Sequence, residues 1–525
     1  MDNVQLSLTS PGWTNSADGS WLWRPVRGWD PGERVPGVVS ASPGQRDGQW
    51  TVVRPRGQDL VLETDRARSH HLLFAYADSR WIVTDDPQHM RSHLGSWRRD
   101  HQAAEAFAHM ALVPGSRTLV EGVGATESAA TVVLRPDGSW EQRTWDSYRY
   151  AVEPITDEAE FDAAFDAALD RAVGRLLERT AGRSLVLPLS GGLDSRLLAT
   201  WLRRLGAADI VAYTYGKPGD REGAVSRDVA AALDIPWLRI DLDVAEMARV
   251  WQGPEGARFQ EQTWGMTSLP HVQDWYALRT LRRRSLIDEG AVILPGHTIV
   301  GNTHDEHLLG PAASRARVLA AIASHHTTLQ GDGRAAGRLA LLRRELLRTE
   351  ALAPVTGERG AQELIEWFNI RERQAKYINA SMKAYEAMGY DWALPMLDTE
   401  VWECWLRGSQ ELTATRAWYA RYTSQRFSQA TGQDQELYTA ASTRLPAVPK
   451  RLALSVLRAT GGDRALSRVR SVRAMLDHPM GFEAFATGIS RPRQALRFAT
   501  GTTTLGLWSE LFLANRWGAD LVPQD

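Results

Sequence analysis

Apolar positions along the chain fall into three successive patterns. Up to about residue 150, short apolar runs are separated by Gly, Pro and Asp: Trp50 to Arg54, Leu60 to Glu63, His71 to Tyr76, Trp81 to Thr84 and Thr131 to Leu134. Runs of this kind predict antiparallel strands, with turns at Asp78-Ser79 and Asp137-Gly138 and a helical patch at His101 to Ala111. After Glu153-Pro154 the period changes. Phe161, Phe165, Leu169, Val173 and Leu176 recur at helical spacing behind a Thr156 cap and an acidic first turn. Wholly apolar runs then alternate with helical segments: Leu185 to Leu189, Ile210 to Tyr215 and Trp237 to Leu242, with a further run at Val292 to Leu294. Strands apolar on both faces and joined by helices predict an α/β fold with a doubly wound parallel sheet, whose ligands sit beyond the carboxyl ends of the strands. Residues 311 to 360 show only Ala, Leu and Arg at helical spacing and predict packed helices. The expected division is 1–152 and 153–525.

Composition narrows the function classes. The net charge of −2 gives no basic field for nucleic acid or an anionic membrane, and Arg282-Arg283-Arg284 and Arg343-Arg344 read as solvated helix faces. No run of eighteen apolar residues and no signal-peptide pattern occurs, so a soluble, cytoplasmic protein is expected. The single Cys404 excludes an internal disulfide and a cysteine metal cluster, and its Trp402-to-Leu406 setting predicts a buried thiol. The 21 tryptophans are expected to fill cores.

The chemistry concentrates in Pro188-Leu189-Ser190-Gly191-Gly192-Leu193-Asp194-Ser195, between the first buried strand and its helix. Gly191 and Gly192 let the backbone turn and bare its N–H groups, while the helix from Leu193 points its positive end at the same place. Ser190 and Ser195 add hydroxyls, and Asp194 offers a carboxylate for a Mg2+ that bridges phosphates. A plain strand-to-helix turn does not need this combination. A Walker loop would need a Lys after its glycines, which is absent.

This stretch resembles the pyrophosphate loop (PP-loop) of the ATP pyrophosphatases, in the form found in the asparagine synthetase family. The resemblance implies ATP and Mg2+ as cofactors, adenylation of a carboxylate and release of pyrophosphate. It also implies that Pro188 and the strand end from Tyr213 to Gly216, Tyr215 included, hold the adenosine; plain strand packing is the alternative for the tyrosines. Leu73 to Tyr76, Trp81 to Asp86 and Pro114 to Leu119 are similar to the glutaminase-like (Ntn-type) α+β sandwich domain that precedes the synthetase domain in that family. Glutaminase members use an N-terminal Cys as nucleophile. Here position 2 is Asp2, and no Cys precedes Cys404, so the domain is expected to be a remnant without glutamine hydrolysis.

Further site residues follow from the same resemblance. Gly296 matches a family Gly after the fourth strand, and His297 stands where the family has an acid or a tyrosine. Val300 falls where a second metal-binding Asp is expected, and Asp305 is the nearest replacement. Gly389 to Asp398 aligns with the family pattern Gly-x-Glu-x-x-x-Pro-Phe-Leu-Asp, with Asp391 in place of its Glu. In β-lactam synthetase-like members those two positions deprotonate the attacking amine, so His297 and Asp391 form a candidate catalytic dyad. The alternative is a strand-end hydrogen bond at His297 and a turn cap at Asp391. Lys450 is the candidate for the family's late, charge-stabilising lysine.

The resemblance therefore implies an AMP-forming carboxylate–amine ligase of the β-lactam synthetase or lasso-peptide cyclase-like kind, acting in specialised metabolism. Its partners would be small-molecule or peptide carboxylates and amines, with no nucleic acid and no membrane, and room is left for a homo-oligomer. Ammonia-dependent amidation of a small or sugar acid is the enzymatic alternative. A degenerate nucleotide-binding partner protein, suggested by Val300, is the non-enzymatic one.

Overall fold

A computed structural model describes residues 4–10, 12–15, 22–25, 48–310, 313–332, 335–433 and 471–524. The N-terminal region holds two sheets. One is six-stranded and antiparallel throughout, and includes Trp50–Arg56, Asp59–Thr64, Ala130–Leu134 and Trp140–Thr144. The other is four-stranded and antiparallel apart from Val4–Ser7, which runs parallel to Arg80–Thr84. Val53, Leu60 and Leu62 of the first sheet share a core with Phe74, Trp81 and Val83 of the second, which makes a sandwich. The turn at Asp78 and Ser79 has both residues at positive φ, 49° and 59°, as a tight hairpin requires.

The helix Glu158–Arg179 buries Phe161, Phe165, Leu169, Val173 and Leu176 as the periodicity predicts. Its cap is Asp157 rather than Thr156: the Asp157 carboxylate accepts the Glu160 N–H at 2.8 Å. The five-stranded sheet that follows is wholly parallel. Its strands are β1 (Leu185–Pro188), β2 (Ile210–Gly216), β3 (Trp237–Asp241), β4 (Val292–Ile293) and β5 (Asp391–Trp392), in the order β3-β2-β1-β4-β5. The chain winds outward from β1 to β3, then crosses to β4 on the other side. The strand order therefore reverses between β1 and β4, and the crevice at their carboxyl ends is the switch point of the sheet.

Among the described residues nine tryptophans, Trp201, Trp275, Trp367 and Trp418 included, are fully buried, and Cys404 is buried with them. One continuous apolar core joins both parts of the chain, from Ala67 and Phe107 to Leu521. Between the two parts lies a buried charge network. Glu127 accepts from Arg348 and Arg371, and Lys376 Nζ donates to the Val113 carbonyl at 3.0 Å, the Gly115 carbonyl at 2.6 Å and Glu372 at 2.5 Å. No helix among the described residues is long and apolar enough to cross a membrane.

Candidate active site

The loop after β1 folds back on itself through its own hydroxyls. The Ser190 N–H donates to Ser195 Oγ at 3.1 Å, the two Ser hydroxyls lie 3.0 Å apart, and the Gly192 N–H donates to Ser190 Oγ at 3.2 Å. The helix α1 (Leu193–Arg204) begins here with Gly192 at its cap and Asp194 in its first turn. Leu189 is buried, and its carbonyl accepts from Thr214 Oγ1 and Ser226 Oγ, which anchors the loop to β2 and its following helix. The buried guanidinium of Arg196 donates to the Gly191 carbonyl at 3.3 Å.

Pro295 and Gly296 follow β4 on the other side of the switch point. A Cβ on Gly296 would stand 2.7 Å from the Ser195 nitrogen and 3.1 Å from the Asp194 Cβ, so a glycine is required for this segment to lie against the loop. Between them opens a cavity of about 710 Å3, lined by Pro188, Ser190, Asp194, Ser195, Gly296 and His297 among others. That size is typical of a small-molecule site, about 300–1,000 Å3.

The remaining walls come from three further places. His271, Gln273 and Asp274 precede and cap α2 (Trp275–Arg283). Arg373, Tyr377 and Ile378 project from Ile370–Ile378, a wide π-helical stretch of the kind often kept at functional sites. Met475, His478, Phe482 and Trp508 come from the C-terminal region. Lys217, just past β2, holds that region in place: its Nζ lies 2.5 Å from both Asp477 and Glu483, and its N–H donates to the Pro479 carbonyl at 2.8 Å.

Asp274 is the hub of the wall facing the loop. It accepts hydrogen bonds from the Tyr215 and Tyr385 hydroxyls, the latter at 2.8 Å. Tyr215 therefore contributes through Asp274 and does not itself line the cavity. Burial, with the nearby His271 imidazole, pushes His297 down to about 4, and Asp274 and a hydrogen bond with Asn379 oppose the fall. His271 is lowered too, chiefly by burial. Both rings are neutral at pH 7, and the Nδ1 atoms of both are buried without a hydrogen-bond partner.

Two expectations need correction. Asp391 does not meet His297. It begins β5 opposite Val292, the first residue of β4, whereas His297 lies four residues past the end of β4. Parallel strands place those two positions at opposite ends of the sheet. Asp391 instead pairs with Arg183 at 2.7 Å, and the same Arg183 donates to the Gly290 carbonyl. Asp305 is likewise not a cavity residue; its carboxylate lies 2.8 Å from His304 Nδ1. Val300 is buried apolar surface. Asp194 remains as the loop's own carboxylate, and the Glu222 carboxylate also reaches the loop, accepting from the Gly191 N–H. Burial raises the pKa of Asp194, and Arg416 counters this by pairing with it at 2.5 Å. Asn369 to Tyr377 reads in the sequence as a helix presenting charge to a site or to solvent; in the structure Arg373 faces the cavity, but Arg371, Glu372 and Lys376 are buried in the network with the N-terminal region. Asp2 and Lys450 lie outside the described residues.

Comparison with known proteins adds a family to this geometry. Among solved structures, the NH3-dependent NAD synthetase from Campylobacter jejuni subsp. jejuni NCTC 11168, in complex with the nitrate ion, is similar over 30% of this chain at 16% identity and a TM-score of 0.19. The chain spans 61% of that synthetase's length. No curated protein matches the chain. The family model described as asparagine synthase matches residues 164–415, a span that contains the loop, the whole parallel sheet and His297. Residues 164–415, just under half of the chain, are thus similar to an asparagine synthase domain.

Proposed function

We propose that this protein is an ATP-dependent, AMP-forming ligase that adenylates a substrate carboxylate, releases pyrophosphate and joins the acyl group to an amine. The observation that carries this reading is the cavity at the sheet's switch point, where Ser190, Asp194 and Ser195 form one wall and His271, Asp274 and His297 another. The first wall suits phosphates: backbone N–H groups, two hydroxyls and the start of α1 favour the charge of a leaving pyrophosphate. The residues present fit one Mg2+, because that ion is commonly held by one or two carboxylates together with substrate phosphates, and Asp194 offers one. When bound there, Mg2+ would offset charge on the phosphates.

The second wall suits the amine. His297 is a neutral imidazole with a free Nδ1, and an anionic acyl-phosphate beside it would raise its affinity for a proton. Asp274, bound by two tyrosine hydroxyls, replaces Asp391 as the carboxylate nearest to this task.

Glutamine is not the nitrogen source in this reading. The only cysteine, Cys404, is buried and its thiol is pushed up to about 11, so it is no nucleophile at neutral pH. An amine substrate is preferred, within one molecule or between two, and a role in specialised metabolism goes with it. One specific feature favours the rival reading of a nucleotide-binding partner without catalysis: Arg416 occupies Asp194, and Val300 supplies no second carboxylate.

Trapping with hydroxylamine separates the readings. With ATP, Mg2+ and a panel of carboxylic acids, the ligase yields a hydroxamate together with AMP and pyrophosphate. Formation of ADP and phosphate would reject the reaction class, and ATP binding without turnover on every acid would favour the partner protein.

A further inference from the structure

Away from the cavity lining, three histidines gather at the start of the helical region. His304 and Asp305 end the loop that began at Gly296, and His325 and His326 end the helix Arg315–His326. The His304 and His325 rings stack face to face, 3.8 Å between centroids and 2° from parallel. His326 lies beside both, at 5.1 Å from His325 and 6.0 Å from His304, and leans on Phe368. His304 has a side chain only 10% exposed, and its Nε2 is buried without a hydrogen-bond partner; the same is true of His326 Nε2. His304, Asp305 and His325 can each present one donor atom with all three inside 4.8 Å of one another.

From this arrangement we infer that His304, Asp305 and His325 form a binding site for a divalent transition cation of the zinc class. Two imidazole nitrogens and one carboxylate oxygen suit Zn2+, whereas Mg2+ and Ca2+ favour sites made of oxygen alone. Tetrahedral bonds of about 2.1 Å put donors about 3.4 Å apart, so a small rotation of either ring closes the present spacing. Asp305 supplies the only negative charge among the three. Arg373, a charge neighbour of His325 and His326, works against a dication and sets a limit on affinity. The ion would tie the Gly296-to-Asp305 loop to the helix Arg315–His326, and its role would be to hold that loop, and His297 with it, in place.

The test uses the full-length chain without a histidine tag, stripped with chelator and titrated with Zn2+ alone in a calorimeter. One equivalent per chain is expected. His325→Ala, at an exposed ring, should weaken binding at least about tenfold, and His307→Ala, three residues from His304 and exposed, should leave it unchanged. X-ray absorption of the zinc-loaded wild type should show two imidazole ligands, a readout that does not depend on any variant folding. Absence of stoichiometric uptake, equal losses in both variants, or a zinc shell without imidazole would each overturn the site.

Discussion

The guanidinium of Arg416 meets the carboxylate of Asp194 at 2.5 Å, and the stem of the arginine lies against Gly301. A side chain at Gly301 would put its Cβ 2.6 Å from the Arg416 Cδ, and the positive φ of 79° also favours glycine there. A fixed cation therefore stands on the loop's own carboxylate, the one proposed to hold Mg2+. Arg416→Gln should lower the Mg2+ concentration that half-saturates AMP formation by about fivefold, matching about 1 kcal/mol for a partly exposed ion pair. A rise in the KM for ATP with no change in Mg2+ dependence would mean that Arg416 serves the nucleotide instead.

His297 and Asp391 should separate in mutagenesis. His297→Ala is expected to spare pyrophosphate release and hydroxamate trapping but to reduce amide formation by the ordinary worth of a general base, about 10²–10⁴-fold. Asp391→Asn removes only a partly exposed pair with Arg183, so activity should stay within about twofold and stability should fall by no more than about 1 kcal/mol. A loss of amide formation in Asp391→Asn equal to that of His297→Ala would restore the dyad that the sheet register separates.

Lys376 is the test of the contact between the two parts of the chain. Lys376→Met leaves Glu372 and two carbonyls without their buried donor, and unfolding in denaturant should show a loss of about 3–5 kcal/mol. A loss under 1 kcal/mol would show that the two parts do not depend on this network.

Acid should act through His297. Its folded-state pKa of about 4 lies below the ordinary value near 6.5, so the unfolded chain takes up the proton first. The stability this provides is fully present above about pH 6.5 and is lost as pH falls from there toward 4. Relative to His297→Gln, the wild type should lose up to about 1.4 kcal/mol more per pH unit in that window, read from denaturant melts at pH 7.5, 6 and 5. Parallel curves for the two proteins would show that His297 titrates freely.

Much of the fold was legible because its strands are short apolar runs with clear breaks. Trp50 to Arg54 and Ile210 to Tyr215 emerge within two residues of the observed ends. The loop from Ser190 to Ser195 was legible because all its parts are adjacent in sequence. What failed was spatial. The alignment of Asp391 with a family Glu carries no information about which end of β5 it occupies, and only the pairing with Val292 shows this. Arg416 and Asp194 are 222 residues apart, and nothing local marks the arginine. His271 and Asp274 sit in a loop whose pattern reads as an ordinary helix start, since Asp before Trp275 is also a plain cap position. His325 lies in a segment that showed only helical periodicity, so its meeting with His304 was invisible.

The most direct test of the central claim is exchange of labelled pyrophosphate into ATP by the full-length chain, with Mg2+ and an acid found active in hydroxamate trapping. Acid-dependent exchange that falls at least about a hundredfold in Asp194→Asn, with AMP as the nucleotide product, is the predicted result. Exchange that Asp194→Asn leaves intact, or turnover that yields ADP and phosphate, would contradict it.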